Sequence, residues 1–392
     1  MDSKTGSLFH FIENDPIHRI VKKNADEGKK IRQPLVLFWI LAISYVPVLL
    51  ITILEGTFYK GVTISFVRDF ALQFRFLIAV PMLVFSRPVI QEATTKTCEY
   101  IHNVLLDKEE NERVFLPAIS RIREFNASWK SMSLVLFLVM VSTAGIYYFS
   151  VHEPGLVAIS GWYGKVSDGV FYDSKAFLWF NIVSMLIFRF LLLRWFMSYC
   201  SWIWLLVKVS GCHLKLTPHH GDKACGLNML VYPQTRFNIF FVAMAITSSG
   251  MIINDIIYRG AVFESVIPQI AAIIGISFLM LLGPYLFFVS KLFAAKKQIH
   301  IAMSKKSQQL SEDYEREWIE THVTGSNEEK PDPSVMIDFF STFEIAEKIR
   351  PFAFNLQDLI VLAVPIALSF LPTLLTRMSI KEILEVGLRF LV

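Results

Sequence analysis

The run AFLWFNIVSMLIFRFLLLRWFMS, residues 176–198, decides the fold. A helix needs roughly 20 mainly apolar residues to cross about 30 Å of hydrocarbon. This run supplies them with two interruptions, Arg189 and Arg194. Insertion scales set about +2.5 to +3.5 kcal/mol against each central Arg, while each Leu, Ile, Phe or Val returns roughly 0.3 to 0.6 kcal/mol. With 13 such residues between 176 and 196 the two sums nearly cancel, so one Arg has to leave the hydrocarbon. Arg194, near the inner end, reaches the headgroups along its own alkyl stem. Arg189, roughly 20 Å down at about 1.5 Å per residue, is expected to face the bundle interior, a wet cavity or a carboxylate.

Runs of the same character lie at 34–54, 70–86, 133–151, 237–257, 266–290 and 357–376. Of 392 residues, 54% are hydrophobic and 18% charged, with a mean hydropathy of +0.47; soluble domains carry about 25% charged residues. Four cysteines exclude a disulfide scaffold, and a net charge of +4 offers no field for nucleic acid. The composition therefore predicts an all-α fold: a polytopic membrane helix bundle of six or seven transmembrane helices with cytoplasmic helical extensions.

Lys and Arg fix the orientation. Segments 1–33, 87–132, 208–236 and 294–356 hold 26 of them, and the alternate connections 55–69, 152–175 and 258–265 hold five. The N-terminus is expected to be cytoplasmic, with Lys22, Lys23, Lys29, Lys30 and Arg32 in a polar segment that lacks the apolar core of a signal peptide. The first span then serves as its own uncleaved insertion signal. Trp162, Tyr163, Tyr147 and Tyr148 suit an outer interfacial belt.

The chain divides into a cytoplasmic segment 1–33, spans one and two (34–86), a cytoplasmic helical hairpin (87–132), and spans three and four (133–198). An inner-face segment (199–236), spans five and six (237–290), cytoplasmic helices (291–356), a seventh crossing or re-entrant segment (357–376) and an amphipathic tail (377–392) follow. In the hairpin, Val114, Phe115, Ala118, Ile119, Ile122 and Phe125 form one apolar stripe. A helix is expected from the sixth span to Trp318, a breaker at Gly325-Ser-Asn-Glu-Glu-Lys-Pro-Asp-Pro333, then an amphipathic return through Met336, Phe339, Phe340 and Phe343. Pro365 and Pro372 divide the last apolar run. Whether it crosses decides the side on which Ile380, Ile383, Leu384, Leu388 and Leu391 emerge.

Arg75 and Asp255 sit at matching depths near the outer ends of spans two and five, and are expected to pair. With Arg189 and Arg194 they are candidates for lining a path for an anionic or protonatable solute, the alternative being snorkelling or contacts between helices. Thr247-Ser-Ser-Gly250 permits close helix approach, and Pro81 and Gly283-Pro284 are candidate kinks.

The densest chemistry is Cys212-His213-Leu-Lys-Leu-Thr-Pro-His219-His220-Gly-Asp222-Lys223-Ala-Cys225-Gly226-Leu227. Cys212, His213, His219, His220, Asp222 and Cys225 could give Zn²⁺ four donors, although the spacing matches no finger; the alternative is a tight turn whose His and Asp bond to backbone amides. No cofactor is otherwise called for. The segment resembles a His-Pro-Asp-basic-x-Gly-Gly-Leu signature of uncharacterised bacterial multi-pass membrane proteins. His220, Asp222, Lys223, Gly226 and Leu227 match; Gly221 replaces the proline and Cys225 the first glycine. Ala367-Leu-Ser-Phe-Leu-Pro372 and Met378-Ser-Ile-Lys-Glu-Ile-Leu are similar to that family's last span and tail. The resemblance implies a bacterial inner membrane and no assigned activity.

There is no His-Glu-x-x-His, phosphate loop or Gly-x-Ser-x-Gly elbow, so no catalytic residue is assigned. Three function classes follow. The first is a non-transporting signalling or scaffold protein whose cytoplasmic helices meet a protein partner or a second copy. The second is a permease or channel for a small anionic solute, with His220, Asp222 and Lys223 at an inner gate. The third is a lipid-modifying enzyme using His220 and Asp222 as base and orienter. Membrane lipids surround the chain in all three.

Overall fold

The computed structural model describes residue 9 and residues 33–152, 159–167, 170–323 and 333–377. The basic N-terminal cluster, most of the breaker after Gly325 and the tail from Ile380 lie outside them. The helices are α1 (Gln33–Leu54) and α2 (Phe70–Leu105), α3 (Lys108–Ala127), α4 (Trp129–His152), α5 (Lys175–Ser210) and α6 (Leu227–Arg259), α7 (Phe263–Leu282), α8 (Leu286–Val323), α9 (Pro333–Glu347), α10 (Leu356–Leu368) and α11 (Leu371–Leu374). Among the described residues the only sheet is an antiparallel hairpin, β1 (Gly164–Ser167) with β2 (Val170–Asp173), pairing Gly164 with Asp173. The fold is otherwise all-α, as the composition predicts.

Among the described residues, five helical runs are long and apolar enough to cross a membrane: α1, α2, α5, α6, and α7 continued into α8. The pair α3–α4, bent by 57°, makes a sixth if taken as one. At the bend Ser128 is extended, and its hydroxyl accepts from the Ser131 amide to start α4. Large apolar side chains face outward on several of these helices: Phe38 and Trp39 on α1, Phe137 and Met140 on α4, Leu279 on α7. So broad an apolar exterior is a surface for hydrocarbon rather than for water.

The most buried of the candidates is α6, and the chain packs around it. Beside it Gly250 meets the backbone of α2: a β-carbon there would lie 2.7 Å from the Phe70 carbonyl oxygen. The last apolar run follows α6 from end to end. Asn228 bonds Asp358 at 2.9 Å, Asn238 reaches the Leu362 carbonyl at 3.0 Å, Ser249 meets Thr373 at 2.8 Å, and Arg377 pairs with Glu264. Segment 356–377 thus runs parallel to α6 over the whole depth of the bundle. It is not one helix, however. It breaks at Ser369–Phe370 after 13 residues, between the two prolines that divide the run in the sequence.

Proline explains three tertiary bonds. Each proline lacks the amide that would bond the carbonyl four residues earlier, and in apolar surroundings that carbonyl has to find another donor. For Pro47 the freed carbonyl is Ile43, which accepts from Trp179 Nε1 at 3.1 Å. For Pro284 it is Met280, taken by the Tyr199 hydroxyl. For Pro365 it is Val361, approached by Asn238 Nδ2 at 3.4 Å. Pro81 acts differently: the turn before it widens into a π-helix over Phe74–Ala79, and Arg75 and Phe76 on that turn are both buried.

At one end of the bundle lie the β-hairpin, Asp69 and Glu264. At the other, α2 continues to Leu105, which accepts from the Lys215 amide at 2.9 Å, and Lys291 of α8 donates to the Cys212 carbonyl. Helix α9 folds back on α8, with His300 and Phe343 rings 5.9 Å apart.

Candidate functional site

At the hairpin end, the first polar cluster is built on Asp69. The residue is an N-cap, extended and followed by an apolar run, whose Oδ1 accepts from the Leu72 amide at 3.0 Å. The same oxygen accepts from Asn254 Nδ2 at 2.8 Å, and Oδ2 accepts from Trp162 Nε1 at 2.7 Å. Asn254 closes the ring by accepting from the Phe70 amide at 3.0 Å. Trp162 is 2% exposed, so it is a plug inside the bundle rather than a member of a surface belt.

The expected Arg75–Asp255 pair does not form. Asp255 points outward and bonds Arg259, one turn along its own helix, at 2.8 Å. Arg75 is buried, with Met185 Sδ 3.3 Å from its guanidinium and the Phe188 ring 5.3 Å away. The carboxylate whose field reaches it is Asp69, six residues earlier. Depth alone misplaced the partner: Asn254 faces inward, and the next residue on a helix is turned about 100° away.

Arg189 and Arg194 both donate to α4 or its approach, neither to a carboxylate in the bonds described. Arg189 bonds the Thr143 hydroxyl at 2.6 Å. Arg194 bonds the Ser131 hydroxyl at 3.1 Å and the Asn126 carbonyl at 2.9 Å, across the α3–α4 bend. Among the described residues, two cavities stand out at the far end from the hairpin. One, of about 500 Å³, is bordered by His213, Leu216, Lys291 and Gln298. The other, of about 380 Å³, opens between α1, α2, α4 and α5 beside Arg87 and Arg194. Arg75, Arg189 and Asp255 line neither.

In the His–Asp segment, Asp222 organises the backbone. Its Oδ1 accepts from the amides of Ala224 at 2.8 Å and Gly226 at 3.1 Å, and its Oδ2 from that of Asn228 at 3.1 Å. His220 Nδ1 lies 2.9 Å from Oδ1, with the ring half exposed. Burial opposes ionisation of this carboxyl, but the three amides and the His220 ring outweigh it and hold it below the usual aspartate value. The folded loop then ties together distant chain. Arg350 donates to the Asp222 carbonyl, its amide to Lys223 at 2.8 Å, and the Tyr100 hydroxyl to Gly226 at 3.0 Å. Lys223, Cys225 and Gly226 all take positive φ. Cys225 therefore occupies a left-handed conformation that suits glycine best.

Of the candidate zinc donors His220 and Asp222 meet, but no third joins them among the described residues. Cys212 donates to the Lys208 carbonyl at 3.4 Å, His213 faces Asp107 at 4.0 Å, and burial pushes the thiols of Cys212 and Cys225 up to about 11. Among the described residues no three His, Cys, Asp or Glu side chains are grouped to hold a metal ion. Three backbone amides make Asp222 a loop organiser, and the same carboxylate also holds the half-exposed His220 ring at 2.9 Å, the contact a base and its orienter would share.

Asp222→Asn is expected to lower unfolding stability by about 2 kcal/mol, since bonds to a charged acceptor are worth roughly 1.5–3 kcal/mol each and the amide preserves some of them. Because the folded carboxyl is more acidic than the unfolded one, its contribution is complete above the unfolded value of about 3.9 and is lost as pH falls through the folded one. Detergent-solubilised unfolding followed by circular dichroism checks both: the wild type should lose this stability in acid, while the variant lacks it at every pH.

No family model, no curated protein and no solved structure matches the chain. Asp69 and Arg87 are the residues that sequence reading passed over. Asp69 carried a legible signal, an aspartate directly before an apolar run.

Proposed function

We propose that the protein is a multi-pass inner-membrane protein of bacteria that does not transport but presents a helical platform to a protein partner. The carrying observation is overhang. Phe263–Arg316 is 54 residues long, about 80 Å at 1.5 Å per residue, against roughly 30 Å of hydrocarbon. Helix α2, at 36 residues, overshoots at the same end, where the His220–Asp222 loop and α9 bind the projecting helices together. That is also the end where basic residues accumulate, which supports a cytoplasmic N-terminus. The signature resemblance favours a bacterial inner membrane.

The permease reading has less support. Arg75 and Arg189 are engaged by Met185, Phe188 and Thr143 and line neither cavity, while Arg194 borders one without them. Two measurements test the proposal. A photo-crosslinking residue in place of Ile301, exposed on α8, should yield one discrete protein adduct in native membranes, and the same residue in place of Leu279 should not. Chloride efflux from loaded liposomes should match protein-free vesicles. Protein-dependent efflux abolished by Arg189→Ala would overturn the platform reading in favour of a permease.

A further inference from the structure

The cavity of about 380 Å³ has an uneven lining. Its deeper walls are Val36 and Ile40 of α1, Leu136 of α4, and Leu186 and Phe190 of α5. Gln33, Arg87, Arg194 and Ser198 are its polar members, gathered at the end facing the overhangs. Among the described residues its lining holds no acidic side chain. Along α5 it extends from Leu186 to Ser198, about 18 Å at 1.5 Å per residue. One leaflet of hydrocarbon is about 15 Å deep. The shape is therefore one leaflet tall, apolar within, and doubly cationic at the level of the headgroups.

We infer that this cavity is a binding site for an anionic phospholipid, one acyl chain lying between α1, α4 and α5 and the phosphate between Arg87 and Arg194. Guanidinium is the side chain best matched to phosphate, through a planar fork of N–H donors, and basic pockets between membrane helices recognise anionic headgroups. The site differs from simple snorkelling, in which an Arg meets whatever headgroup is near, because the chain has its own slot. It also has a mechanical reach. Arg194 holds the Asn126 carbonyl and the Ser131 hydroxyl on either side of the α3–α4 bend, so a phosphate drawing on the same guanidinium acts on that joint. The inference rests on the helices being membrane-embedded, and not on the platform reading.

The test uses the full chain in phosphatidylcholine micelles, titrated with phosphatidylglycerol carrying brominated acyl chains, which quench tryptophan. Trp195 lines the cavity. Saturable quenching near one lipid per chain is expected, and Trp195→Phe should remove that component. Arg87→Gln with Arg194→Gln should shift the midpoint at least tenfold while leaving quenching by brominated phosphatidylcholine unchanged. Should the double variant not fold, Val36→Phe with Ile40→Phe fills the slot without touching charge and should abolish saturation. Equal midpoints for the two lipids, or saturation surviving the filled slot, overturns the inference. Displacement by inorganic phosphate at matching concentration also overturns it and makes the site one for free anions. A chain recovered in detergent-free buffer would instead refute membrane embedding itself.

Discussion

Replacing Gly250 by alanine is expected to destabilise the fold by about 2–3 kcal/mol, near the top of the range for overpacking. The added methyl would stand 2.7 Å from the Phe70 carbonyl oxygen and 3.1 Å from the Ala71 α-carbon. Both are backbone atoms, so no rotamer change relieves the clash; α2 and α6 have to separate. Separation then stretches the Phe70–Asn254 bond one turn away, which couples the packing defect to the polar ring at the hairpin end. Gly275→Ala provides the contrast. It lies inside α7 with nothing within 4 Å of the added carbon, and should stabilise by about 0.5–1 kcal/mol through helix propensity alone. Thermal unfolding in detergent of both variants, read beside gel filtration, separates the two cases. Equal melting of the two would mean that α2 and α6 do not approach this closely.

Loss of the Asp69 carboxylate is the second large effect. In Asp69→Ala the Leu72 amide, the Asn254 amide group and the Trp162 indole each lose their acceptor. At about 1–3 kcal/mol for each buried donor left unsatisfied, a cost of about 3–5 kcal/mol is expected, some of it softened by water entering at this end. Arg75 would also lose the negative charge that faces it. Trp162→Phe removes one of the same bonds, so the double variant should cost less than the sum of the singles, by about 1.5–3 kcal/mol for a charge-assisted bond. Near-UV circular dichroism in Asp69→Ala should lose the Trp162 contribution before helical signal falls. Additive costs would show that Asp69 and Trp162 do not share a bond.

The helical class was legible because run length and apolar content are one-dimensional quantities, and residues 176–198 display them without context. The prolines were legible as kinks, but not the partners of the carbonyls they free. Nothing in the sequence near Pro284 points to Tyr199, which arrives from another helix. The Arg75 partner was misread for a geometric reason: helical rise gives depth, whereas azimuth depends on packing, and one residue separates inward Asn254 from outward Asp255. The β-hairpin escaped because four-residue strands between Gly161 and Asp173 are too short to show alternation. In the His–Asp segment, residue types suggested ligands or a base. What they could not show, that three amides within six residues also use the Asp222 oxygens, belongs to the turn's conformation.

The brevity of α10 bears on biogenesis. Thirteen residues make about 20 Å of helix, too little to partition into lipid unaided when it leaves the translocon. It is synthesised after α6 and α7, whose surfaces already offer Asn238, Ser249 and Glu264 as berths for Leu362, Thr373 and Arg377. In a membrane its entry is therefore a docking event onto finished protein, which a chain lacking those berths could not complete.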